Sequence, residues 1–241
     1  MNETRVPEDL GASGPFVGRS VPRLEDLALL TGAGRYLDDI HLPDILHCAF
    51  VRSPVAHARI ERIDVDAARA MEGVHAVLLL ADLMPMLTSG RMPLGASPVA
   101  GETRSTPFVL SNHEVAYVGE PIALVVACSR YVAEDAVARV EIEFTPLPVA
   151  CDARAAMQPD APLVRSEIAS NVLSTFHVGF GDVDDAFGGA AHIFSDVLFQ
   201  HRGCGHSMEG RGVLAEIRPG DDLCVWSSTQ MPHDLSYMLQ T

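Results

Sequence analysis

Apolar positions along the chain first recur with the period of strands. Ile45–Val51 is an apolar run closed by the turn signal Ser53-Pro54, and Ala58–Ile63 is a second such run. Asp64 is placed to cap a short helix through Ala67, Ala68, Ala70 and Met71, which Gly73 can end in the left-handed conformation. Val74–Leu80 is apolar almost throughout, the pattern of a strand covered on both faces. A Pro-, Gly- and Ser-rich excursion fills 85–107, and order returns at Val115. Ile122–Ala127 reads as a buried strand and Ser129 as the cap of a helix whose Ala133, Ala136, Val137 and Val140 share one face. Val140, Ile142 and Phe144 then alternate with Glu141 and Glu143, as in a half-exposed strand. Strand, crossover helix and strand predict a compact α/β unit over 36–147.

The pattern lapses over Thr145–Asn171, which holds Pro146, Pro148, Pro159 and Pro162 and predicts a domain boundary. Beyond it, Asp182 is set to cap a helix through Ala186 and Phe187. Strands are predicted at Ala191–Gln200, Val213–Ile217 and, after the turn Pro219-Gly220-Asp221, Leu223–Ser228, together an antiparallel meander. Pro232 ends the last strand. A helix is predicted from Asp234, with Leu235, Met238 and Leu239 on one face, and the sequence stops at Thr241. One or two turns do not hold alone in water, so the expectation is a fragment or one piece of a split larger subunit.

Composition narrows the function classes. The 241 residues are 48% hydrophobic and 20% charged, an ordinary globular balance for one or two domains. The net charge is −15 and all 17 basic residues are arginine, which disfavours nucleic acid and anionic lipid as partners. No apolar run reaches the roughly 18 residues of a spanning helix, and the polar first residues lack the core of a secretion signal, so a cytoplasmic chain is expected. Five cysteines without a C-x-x-C spacing predict buried thiols rather than a disulfide framework or an iron–sulphur cluster.

Candidate chemistry is sparse. Gly32-Ala33-Gly34 and Gly179-Phe180-Gly181 lack the third glycine of a dinucleotide loop and read as turns. His201, Cys204 and His206, with Glu209 beyond, offer nitrogen and sulphur donors, but their spacing matches no common zinc motif. Asp38-Asp39 and Asp184-Asp185 are adjacent and suit turn and cap positions. Ser227-Ser228-Thr229-Gln230 closes a strand with amide and hydroxyl groups at a sheet rim. Gln230 offers one acceptor and two donors without charge, suited to a metal-bound oxygen or a substrate carbonyl; a strand-end bond to backbone is the plainer alternative.

Several blocks together resemble one family. They are Val17-Gly18-Arg19-Ser20-Val21-Pro22-Arg23 continuing through Leu30–Ile40, Phe50-Val51-Arg52-Ser53-Pro54 with His57-Ala58-Arg59-Ile60, and Val118-Gly119-Glu120-Pro121-Ile122-Ala123 with Ala133-Glu134-Asp135-Ala136. Ser207–Val213 and Ser227–His233 continue the series. In this order they resemble the large subunit of molybdenum hydroxylases, the family of xanthine dehydrogenase, aldehyde oxidoreductase and aerobic carbon monoxide dehydrogenase. The resemblance implies an α+β (mixed α/β) fold: an arm over 1–30, a hammerhead domain over 31–150, a linker over 151–170 and, over 171–241, the start of a molybdopterin-binding domain. It implies an oxidoreductase that hydroxylates or oxidises a small substrate with water-derived oxygen, using molybdenum–molybdopterin in its cytosine dinucleotide form.

The same resemblance maps onto Gln230 the glutamine that approaches an oxygen ligand of molybdenum, and places Glu209 and Arg211 in a substrate-side loop. No residue of this chain is implied as a direct metal ligand. Iron–sulphur clusters and FAD would sit on separate small and medium subunits, and the remainder of the large subunit or a second split chain would complete the site. Gly210 stands where many members have proline. The family's Gly-rich stretch and late glutamate are not in the sequence, so a catalytically silent hammerhead scaffold that docks partner subunits is the competing reading, and an unrelated small-molecule binder a third.

Overall fold

The computed structural model describes residues 17, 21–92, 106–173, 175, 177–201, 203 and 205–240. The chain runs α1 (Asp26–Leu30), β1 (His47–Arg52), β2 (Ala58–Asp64), α2 (Asp66–Arg69), β3 (Val74–Leu78), α3 (Leu80–Leu83), β4 (Glu114–Val115), β5 (Pro121–Ala127), α4 (Arg130–Val137), β6 (Glu141–Pro146), α5 (Ala153–Ala156), α6 (Val183–Gly188), β7 (Val213–Arg218), β8 (Asp222–Ser227) and α7 (Pro232–Gln240). It divides into two compact units, the described residues of Met1–Leu42 with Cys204–Gln230, and those of Pro43–Gly203 with Met231–Thr241. Among the described residues no helix is long and apolar enough to cross a membrane.

The larger unit holds two three-stranded antiparallel sheets, ordered β1-β5-β3 and β4-β2-β6. β5 is central because its side chains serve both faces. Ala123, Val125 and Ala127 pack with Val51, Val77, Val65, Ala68 and the Ala133 and Ala136 face of α4. Ile122 joins Ala58 and Val115 in a second cluster. Ser129 caps α4 by accepting the Val132 N–H at 3.3 Å, and Asp64 accepts the Asp66 N–H at 3.1 Å ahead of α2. Gly73 has φ +84°, and a Cβ there would lie 2.7 Å from Cys128 Sγ, so both torsion and space require glycine.

Several expectations change. Val74–Leu80 is not covered on both faces: β3 is an edge strand with His75 exposed. Its outer edge is partly closed by Arg69, whose Nη2 donates to Val77 O at 2.8 Å with Asp82 3.7 Å away. No strand forms at Ala191–Gln200. A strand needs a hydrogen-bonded neighbour, and among the described residues none pairs with this segment, whose Phe194, Leu198 and Phe199 are 90–91% exposed. The meander is therefore a single hairpin, β7–β8. α7 begins at Pro232, two residues before the predicted start, because proline suits the first helical position.

The Pro-rich stretch after β6 is irregular apart from α5, and side chains order it. Asn171 donates from Nδ2 to Ala156 O at 3.0 Å and Pro162 O at 2.9 Å, and its Oδ1 accepts the Val164 N–H at 2.9 Å. The excursion over 85–107 lies outside the described residues from 93 to 105, as does the arm before residue 21 apart from Val17.

Candidate functional site

The smaller unit is built on the β7–β8 hairpin. Its turn takes positive φ at Gly220 (+94°) and Asp221 (+61°), a pair that a glycine and a short acidic side chain tolerate. The register pairs Leu214 with Trp226 and Glu216 with Cys224, so these four share one half-buried face. Arg218 lies 5.4 Å from the Trp226 ring centroid and donates to Glu216 at 3.0 Å. The Glu216 carboxylate, with a smaller effect of Cys224, raises the Arg218 pKa further and keeps the guanidinium charged.

Loop 207–212 is tied to the exit of β8 through one hydroxyl. Ser228 Oγ accepts the Gly212 N–H at 2.8 Å and lies 3.0 Å from Gly210 O, to which it donates. Ser207 Oγ donates to Glu209 O at 2.6 Å. Glu209 Oε1 then accepts the Leu37 N–H at 2.8 Å. A Cβ on Gly212 would fall 2.7 Å from Leu37 Cδ1, so glycine admits this close approach. The result is an open cleft of about 320 Å³ lined by Arg35, Tyr36, Leu37, Ile40, Glu209 and Trp226 to Ser228.

Glu209 lines this cleft, with one carboxylate oxygen held by backbone. Arg211 is exposed and not among the lining residues. Gln230 is exposed three residues beyond the end of β8, on the segment that leaves the rim. The plain role weighed for Gln230, a strand-end bond to backbone, is filled by Ser228. The sequence reading assigned no part to the 35–40 wall of the cleft; its signal was Gly212, which permits the Leu37 contact. It also passed over the buried charges of the larger unit, where Arg165 meets Glu120 at 2.7 Å and His57 meets Glu114 at 2.6 Å.

Among the described residues no three His, Cys, Asp or Glu side chains converge to hold a metal ion, and Cys204 of the His201–His206 group lies outside the described residues. Gly32 and Gly181 take φ +74° and +67°, and Asp39 and Asp185 belong to short helical turns, so these motifs act as turns and caps.

Comparison with known proteins adds two family matches. Residues 31–148 match the aldehyde oxidase and xanthine dehydrogenase a/b hammerhead domain, and residues 164–241 match the molybdopterin cofactor-binding domain. The nicotine 6-hydroxylase large subunit of Paenarthrobacter nicotinovorans is 43% identical over 90% of this chain and 26% of its own. The carbon monoxide dehydrogenase large chain of Afipia carboxidovorans is 37% identical over 88% of this chain and 27% of its own. The crystal structure of a Cu,Mo-CO dehydrogenase in its carbon monoxide reduced state superposes with a TM-score of 0.77 at 34% identity, covering 92% of this chain and 29% of that one. Quinoline 2-oxidoreductase from Pseudomonas putida 86 gives a TM-score of 0.69 at 36% identity, over 89% of this chain and 27% of that one. This chain thus spans about a quarter of the length of these two curated relatives.

Proposed function

Because the chain belongs to the family of molybdenum hydroxylase large subunits, we propose that the rim from Ser227 to Gln230 is one wall of the molybdopterin site of an oxidoreductase. The observation that carries this reading is the exposed, uncharged amide of Gln230 just past β8, inside the stretch matched to the cofactor-binding domain. The donor set fits the group. Amide and hydroxyl groups bond to oxygens rather than ligate molybdenum, which suits a metal whose ligands arrive on a pterin. When bound, the cofactor supplies a two-electron centre that turns R–H and water into R–OH, two protons and two electrons.

In this reading Gln230 binds and orients through its amide without adding charge. Ser228 fixes the rim by holding Gly212 and Gly210, and Glu209 fixes the opposite wall through Leu37. Glu209 and Arg211 form the substrate-side loop. The proposed organisation is a hammerhead over 31–150, a linker over 151–170 and the start of the cofactor domain from 171; the matches over 31–148 and 164–241 support it. The completed enzyme is cytoplasmic and carries the cytosine dinucleotide form of the cofactor. It joins this chain to further large-subunit polypeptide, an iron–sulphur small subunit and a flavin medium subunit. The relatives named as large subunits support that assembly; the cysteines are not the buried thiols expected, since Cys48, Cys128 and Cys151 are exposed and Cys224 is half-buried.

The test is Gln230→Ala in the assembled enzyme. Loss of one oriented hydrogen-bond partner should cost about 2–4 kcal/mol of transition-state stabilisation, read as kcat/KM at unchanged molybdenum content. Full turnover in that variant removes Gln230 from the site. Acid hydrolysis of the purified complex should release CMP stoichiometric with molybdenum.

A further inference from the structure

His57 lies in the turn between β1 and β2 with its side chain 6% exposed, and both of its ring nitrogens face oxygen. Nδ1 is 2.5 Å from Pro148 O and Nε2 is 2.6 Å from Glu114 Oε1. A carbonyl oxygen and a carboxylate oxygen bring no hydrogen to these contacts. Neutral imidazole carries a single N–H, so it satisfies one contact and sets a lone pair against oxygen at the other. Both are made only when the His57–Glu114 pair holds one proton more than neutral imidazole and carboxylate together. Imidazolium with carboxylate is the arrangement that agrees with Glu114: burial raises its pKa, but hydrogen bonds from His57 and Ser166 outweigh burial and leave it below the ordinary carboxylate value.

The groups gathered around this proton join the hammerhead to the Pro-rich segment that follows it. The backbone oxygen of His57 accepts the Leu147 N–H at 3.0 Å, and Glu114 Oε1 accepts the Ser166 N–H at 2.9 Å. Glu114 is the titratable group that β4 turns to the imidazole, whereas the segment offers it the neutral Pro148 carbonyl. The charges flanking Ser166 are directed elsewhere, Arg165 to Glu120 and Glu167 to Arg91.

We propose that this one proton is one of the ties that latch the segment from Pro148 to Glu167 to the hammerhead, beside the Arg165–Glu120 and Glu167–Arg91 pairs, and that losing it as pH rises loosens the segment. The latched state then holds one more proton than the released state, so closure weakens with rising pH over the range in which that proton is lost. The device stands at the approach to residue 164, where the cofactor-domain match begins, and does not depend on what that domain binds.

Amide hydrogen exchange of the 241-residue chain, followed by mass spectrometry from about pH 6 to about pH 9 and corrected for intrinsic base catalysis, tests the latch. Peptides spanning 148–167 should open about tenfold more for each pH unit over which the proton is lost, while β5 peptides stay level. His57→Gln, which cannot titrate, should abolish that slope. A flat profile in the wild-type chain, or the same slope in the variant, overturns the proposal. If β5 peptides show that the variant has not folded, nitrogen NMR of the histidine-labelled wild-type chain decides. Two protonated ring nitrogens on His57 at neutral pH support the latch, and a single neutral tautomer ends it.

Discussion

Glu120 is fully buried, with Oε1 2.7 Å from Arg165 Nη2 and Oε2 accepting the Ala116 N–H at 2.6 Å. Removing one partner leaves the other charge in an apolar setting. Arg165→Ala should therefore destabilise the chain by about 3–5 kcal/mol in urea titration, and adding Glu120→Met to it should recover much of that loss. Glu114 gives the complementary acid-side effect. Its carboxyl titrates below the ordinary value in the folded chain, so its stabilisation is fully present above that ordinary value. It is lost as the pH falls through the depressed one, and Glu114→Gln should flatten the decline of Tm on that side. None of this was legible in sequence. Glu120 and Arg165 stand 45 positions apart and His57 and Glu114 57 apart, and a charged letter does not reveal burial when its partner is that remote.

Local signals were read well where a single residue decides the geometry. Ser129 caps α4 and Gly73 adopts the left-handed conformation, as the sequence implied. Ser129→Ala should cost about 1 kcal/mol, and Gly73→Ala about 1–2 kcal/mol from backbone conformation alone, with the Cys128 contact in addition; thermal or chemical melts measure both. The 191–200 strand failed for a different reason. Apolar alternation reports what side chains prefer, but a strand is completed by the hydrogen bonds of a neighbour, and among the described residues that neighbour is not there. Rank in the sheet was hidden likewise. The apolar run of Val74–Leu80 read as a strand covered on both faces, yet the antiparallel pairings put β5 in the middle and left β3 at an edge with His75 exposed. At the candidate site, the strand-end rim was visible from Ser227-Ser228-Thr229-Gln230, whereas the Leu37 wall depends on contacts made some 170 positions away.

For the molecule as a whole, apolar residues divide into those that hold it and those that do not. Ile122 is fully buried and Leu198 is 91% exposed. Ile122→Ala should cost about 2–5 kcal/mol, and Leu198→Ser should change stability by less than about 0.5 kcal/mol, in the same denaturation assay. The run from Phe194 to Phe199, with Val178 and Phe180, presents apolar side chains at 74–97% exposure at all but its polar positions, beyond what a lone soluble domain ordinarily displays. A fluorescent apolar probe should bind the isolated chain there, and co-expression with the rest of a large subunit should suppress that binding if this segment lies within the completed enzyme.

The guanidinium of Arg69 seated on the Val77 carbonyl has a consequence for how copies of this chain meet in a crowded solution. A bare outer strand recruits its like and starts a ribbon that has no natural end. Here a cation blocks one rung of the β3 edge and an anion stands beside it, so that edge is a poorer template for a newcomer. Association through the β3 edge should then be weak, and Arg69→Ala, which frees the Val77 carbonyl, should strengthen it in light scattering of the concentrated chain.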